Sequence, residues 1–309
     1  MRLDGLWIGQ VAMAALMNVA FAFAVGSALL GAWLAGAART AASPARPAAQ
    51  RAQRSLVAAA SVLVLADLGW LWYQSASMSG NALSDALDVV PTVLGQTHVG
   101  YAWSVAFAGA VLLLLTALAQ ASTLRNALLG LAVIAIAAGK ASLGHAADAG
   151  VVSAAIGVQT LHILATGVWG GLVLAAGLAV LPALGASTAR GILIRTATQL
   201  SSGALVAFVF VLATGAFNAV RGSGGSLDAI AHSTWGHVLI LKLVLVALAL
   251  LFGALNRLSA LPRLRRTAST MDAHTFVNLV YFEALAMIGV FVAAAALAHS
   301  VPAFAVLGG

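Results

Sequence analysis

Eight apolar runs, each long enough to cross a bilayer, constrain this chain more than any other feature; they fall near 6–38, 55–78, 100–121, 124–143, 154–184, 200–220, 235–258 and 276–299. A helix needs about 20 apolar residues to span a hydrocarbon core of about 30 Å, and only short connections remain between these runs. Of 309 residues, 62% are hydrophobic and 7% charged, and the mean hydropathy is +1.03. A soluble fold of that composition would have no polar surface left, so lipid is the solvent. The expectation is an all-α integral membrane protein, a bundle of about eight transmembrane helices forming a single domain over 1–309, with the lipid bilayer as its first partner.

The net charge of +7 does not point to nucleic acid, because the basic residues are scattered among connections instead of lining one helix face or arm. Topology explains them. Arg39, Arg46, Arg51 and Arg54 follow the first run, Arg125 the third, Arg190 and Arg195 the fifth, and Arg257, Arg263, Arg265 and Arg266 the seventh. The positive-inside rule makes these connections cytoplasmic and puts both termini on the outer side of a multi-pass protein. The start, with Arg2 and no small-residue cleavage site, reads as a first helix and not as a removed signal peptide. Segment 39–54, with Pro44 and Pro47, reads as a linker. The absence of cysteine excludes disulfides, thiolate metal sites and thiol catalysis. The third and seventh runs open alike, with Thr97-His98-Val99-Gly100-Tyr101 and Ser233-Thr234-Trp235-Gly236-His237. The fourth and eighth both close on a small residue and histidine, Gly144-His145 and Ala298-His299. Two four-helix repeats in the same orientation would give this pattern.

Placed on that topology, six of the seven histidines lie at the outer side: His98, His145, His162, His232, His237 and His299, with only His274 inside. They come from five helices at similar depth, as a shared metal site would require. Neutral imidazole binds copper, zinc, iron or nickel, and together with thioether sulfur it suits Cu(I). Met13 and Met17 share a face of the first helix beside Gln10, and Met78 ends the second; each is a weaker candidate, since methionine more often simply packs. A single histidine is more often an interfacial residue than a ligand. His162 stands apart, lying inside a helix on a stripe of Gln159, His162, Thr166 and Trp169 that should face protein. Four charges lie within the spans: Asp67, Lys140, Lys242 and Glu283. Each costs about 2.5–3.5 kcal/mol at a helix centre, so partners are expected: Asp67 for either lysine and Arg257 for Glu283. An ammonium beneath a cation site also opposes passage of a cation unless it is paired or neutral.

The stretches Gly144-His145-Ala146, Leu161-His162 through Trp169-Gly170-Gly171, Thr214-Gly215 to Asn218-Ala219, Trp235-Gly236 to Leu241-Lys242, Asn256-Arg257 with Pro262, and Glu283 resemble the copper resistance protein D family over residues 140–300. Trp235 stands where a tyrosine is expected, and residues 1–97 match only in helix layout. The resemblance implies an eight-helix copper-handling protein of copper homeostasis, moving copper from the periplasm toward the cytoplasm after a small periplasmic carrier delivers it to the outer histidines. His98, His145, His162, His237 and His299 would form or flank the site, and His232 would meet the ion first. That makes the chain a transporter or metal-binding membrane protein rather than an enzyme. The alternative is a membrane redox protein with haem b or copper beside a quinone site, since axial histidines on facing helices give the same one-sided layer.

Overall fold

The computed structural model describes residues 5–144, 147, 150 and 153–303. Among them only helices occur, and eight are long and apolar enough to cross a membrane: α1 (Gly5–Ala35), α2 (Arg46–Ser79), α3 (His98–Leu118), α4 (Thr123–Leu143), α5 (Ala154–Leu184), α6 (Ser187–Ser223), α7 (Thr234–Thr267) and α8 (Thr270–Ala298). Among the described residues, alternation along the chain puts the arginines other than Arg221 at one end of the bundle and the histidines other than His274 at the other, hereafter the arginine end and the histidine end.

The apolar runs mark only the part of each helix that lipid demands. Segment 39–54 is a linker only in its first half, because Arg46–Arg54 forms the opening turns of α2. Pro47 sits in the first turn, where its missing N–H costs no hydrogen bond, and Ala48 and Ala52 are fully buried against α1. In the same way the arginines from 190 to 195 and from 257 to 266 are helical. α5 and α7 each widen into a π-turn, Ala176–Val180 and Asn256–Ala260, just before Pro182 and Pro262. Proline has no N–H for the carbonyl four residues back, and the ladder continues through five-residue bonds, Leu181 to Ala176 and Leu261 to Asn256.

α1 and α5 are the central helices: α1 packs on α2, α5 and α8, and α5 on α1, α4, α6 and α8. They cross at Gly26 and Gly171. A Cβ at Gly26 would overlap the Gly171 carbonyl, and one at Gly171 would overlap the Ala22 carbonyl, so only glycine lets these backbones touch. Association in lipid relies on such close approach, because one apolar surface is as good as another to the acyl chains.

The two halves repeat one another. The pairings α1–α2 and α5–α6, α3–α4 and α7–α8, and α1–α8 and α5–α4 correspond. The openings of α3 and α7 agree atom by atom. Thr97 and Ser233 each cap their helix by accepting from the N–H of Gly100 or Gly236, and each donates to the carbonyl four residues back, Val93 or Ala229. Gly100 and Gly236 both press on the short helix that precedes them, Val90–Gln96 or Leu227–His232. Tyr101 donates to Gly95 O at 2.8 Å where His237 bonds Ala231 O at 3.0 Å, the equivalent positions.

Because backbone blocks any Cβ at the crossing, Gly26→Ala and Gly171→Ala should each lower stability by about 1–3 kcal/mol in detergent unfolding. Gly130→Ala, where a Cβ meets nothing within 4 Å, should be neutral or slightly stabilising.

Candidate functional site

Each described histidine at that end is tied to a neighbour, and the partner fixes which ring nitrogen carries the hydrogen. A carbonyl oxygen only accepts, so a ring nitrogen bonded to one must donate. By that rule Nε2 is the donor in His98, to Ser142 O at 3.0 Å, and in His237. In His232 it is Nδ1, which bonds Asp228 O at 3.1 Å and pairs with the Asp228 carboxylate at 3.0 Å, both side chains being largely exposed. In each neutral ring the opposite nitrogen keeps its lone pair, the form in which imidazole ligates metals.

His162 reaches the same state inside the bundle. Its Nδ1 lies 2.9 Å from Thr214 Oγ1 on α6, and that hydroxyl gives its own proton to Phe210 O at 2.5 Å. Nδ1 must then donate, which leaves Nε2 as the lone-pair nitrogen. The rest of the stripe faces protein as its spacing requires. Gln159 accepts from Asn218 at 2.7 Å, Thr166 donates to the His162 carbonyl at 2.6 Å, and buried Trp169 meets Phe208 edge-on at 5.2 Å. Lys242 on α7 acts electrostatically on His162. A polar lane thus runs inward between α5 and α6, with α7 alongside.

A second lane lies between α1, α2, α4 and α8. His299 donates from Nδ1 to Ala295 O at 2.9 Å and accepts on Nε2 from Trp70 at 3.2 Å, so both ring nitrogens are engaged; Trp7 donates to its carbonyl. Deeper in, Asp67 and Lys140 act on each other electrostatically. Lys140 Nζ donates to Asn18 Oδ1 at 2.9 Å, and Asn18 donates to Phe291 O. Asp67 Oδ2 is buried with no hydrogen-bond partner, while Trp103 bonds its main-chain oxygen.

The fourth intramembrane charge departs from expectation. Glu283 does not pair with Arg257, which donates to Ser201 on α6 at 2.8 Å; the Glu283 carboxylate packs on Gly253, close to Asn256. The π-turn that begins at Asn256 presents this side chain to α8, and the next residue, Arg257, leaves toward α6.

The candidate ligands are therefore distributed. Among the described residues, no three His, Asp or Glu side chains gather into a group that could hold a metal ion. His98 docks on the end of α4 three residues before His145, which lies outside the described residues. Met17 is buried in the core around α1 and α2, Met13 packs beside Gly69, and Met78 is exposed. Thr214, Asn218, Asn18 and Trp70 belong to these lanes without having been singled out for them in the sequence. Asn18 could have been found as a lone amide in an apolar run.

Two family models match the chain: residues 3–154 match the copper resistance protein D-like N-terminal domain, and residues 194–297 match copper resistance protein D. The likeness thus extends through the first half, where the sequence displays mainly helix layout. No curated protein and no solved structure matches the chain.

The Thr214 anchor is open to test by nitrogen NMR of histidine-labelled protein. His162 should report a neutral ring protonated at Nδ1, and Thr214→Val should remove that preference, with about a 10–100-fold loss in affinity for any metal the ring binds. An unchanged ring signal in Thr214→Val would show that something else orients His162.

Proposed function

Because the chain belongs to the copper resistance protein D family, we propose that it carries copper from the periplasm toward the cytoplasm across the bacterial inner membrane. Both termini are then periplasmic, and the histidine end is where copper arrives. The observation that carries the reading is a set of four imidazoles at one end, His98, His162, His232 and His237, each held so that one nitrogen keeps its lone pair, with His162 set inside the bundle. Copper is the cargo.

His232 and His237 stand at the surface, on or beside the short helix Leu227–His232, where a small periplasmic carrier would hand over the ion. His98 docks at the end of α4, and His162 takes the ion next. His299 joins only after its bond to Trp70 opens. The distributed arrangement suits transfer, since an ion passed between sites of few ligands each leaves them more readily than one closed cage. Lys242, which acts electrostatically on His162, and Asp67 and Lys140, which act on each other in the other lane, set the electrostatic cost of moving a cation inward.

His162→Ala should abolish stoichiometric copper binding by the purified protein and copper accumulation in cells, because water can least easily replace a ligand this deep. His232→Ala, in an exposed position, should only slow uptake. Wild-type copper binding by His162→Ala would remove the role assigned to this residue.

A further inference from the structure

The arginine end holds a buried cation that the copper reading does not use. Arg190 opens the α-helical part of α6 and is only 7% exposed. Its Nη2 donates to Thr270 Oγ1 at 3.3 Å, a long bond, while Nε and Nη1 are buried with no partner. Thr270 is the first residue of α8. The guanidinium therefore lies where two helices begin, and both starts present positive partial charge from N–H groups not bonded within the helix. Ala189, before Arg190, supplies no side-chain cap.

The surroundings add to that field. The last turns of α7, Leu261–Thr267, pack on α6 and carry Arg263, Arg265 and Arg266. The one carboxylate in the first turn of α8, Asp272, is committed elsewhere, accepting from Thr267 at 2.5 Å and from Ser269 at 2.8 Å. A guanidinium out of water with Nε and Nη1 unmet is costly. Each of its two bidentate edges, Nε–Nη2 and Nη1–Nη2, joins one of these unmet nitrogens to the one bonded to Thr270, so a phosphate that displaces Thr270 meets two parallel N–H donors in the geometry that arginine favours. These residues stand at the ends of membrane-spanning helices, the parts of such helices that come within reach of lipid headgroups.

We propose that Arg190, with Thr270 and the adjoining starts of α6 and α8, binds a phosphate anion, supplied either by an anionic phospholipid headgroup or by free phosphate. The bond to Thr270 is the one that yields when the phosphate engages. This site is independent of copper.

Thermal unfolding of the purified full chain in neutral detergent, with phosphatidylglycerol, phosphatidylcholine or inorganic phosphate added, tests the site. Phosphatidylglycerol should stabilise the wild type and Arg195→Gln, an exposed control, but not Arg190→Gln. Arg190→Lys keeps the charge without the bidentate edge and should need about tenfold more lipid. In phosphatidylcholine Arg190→Gln should be at least as stable as the wild type, because a buried unpaired charge is gone. An equal effect of inorganic phosphate identifies the free ion as the source, and an effect of phosphatidylglycerol alone identifies the lipid. Equal stabilisation of wild type and Arg190→Gln by phosphatidylglycerol would overturn the proposal, as would no phosphate-dependent stabilisation of the wild type.

Discussion

The backbone contact of α1 with α5 at Gly26 and Gly171 is the joint on which the remaining architecture depends. In lipid no hydrophobic gain draws helices together, so the centre of the bundle must be built where two backbones approach most closely. Each of the two helices belongs to one half of the chain, and the crossing lets the halves close on one another: α8 rests on α1, and α4 rests on α5. The matched openings of α3 and α7, down to the same cap and the same glycine against the preceding short helix, show one structural unit used twice.

With two such units meeting at their first helices, polar side chains collect in two lanes, one on each side of the central pair. They are not copies in their chemistry. The α5–α6 lane holds His162, fixed by Thr214, and a glutamine–asparagine pair. The lane among α1, α2, α4 and α8 holds an opposed aspartate and lysine, capped toward the histidine end by the Trp70–His299 bond. The equivalent positions Tyr101 and His237 show how duplication permits this divergence: both side chains satisfy the same carbonyl of the preceding short helix, but only the imidazole also offers a ligand nitrogen.

Much of the fold was legible in the sequence, because lipid demands long apolar runs and the arginines mark alternate connections. The helix ends at those arginines were not, since alanine, arginine and glutamine continue a helix without adding to hydropathy; Arg46–Arg54 in α2 is the clearest case. The spacing of Gln159, His162, Thr166 and Trp169 announced a face turned to protein, and that face packs as expected. What it met was hidden: Thr214 is 52 residues away along the chain and Trp70 is 229 from His299, distances at which only the packing of whole helices selects partners. Glu283 shows the same limit, for a charge rule suggested Arg257 where the π-turn delivers Asn256 instead.

The account turns on whether imidazole nitrogens of this chain hold copper. X-ray absorption and visible spectroscopy on the purified full chain, with elemental analysis of the same sample, test this most directly. The prediction is copper in stoichiometric amount, a first shell containing nitrogen with the outer-shell scattering of imidazole, and no Soret band. Haem with its Soret absorption and no copper would contradict the account and favour a membrane redox protein built on the same histidines.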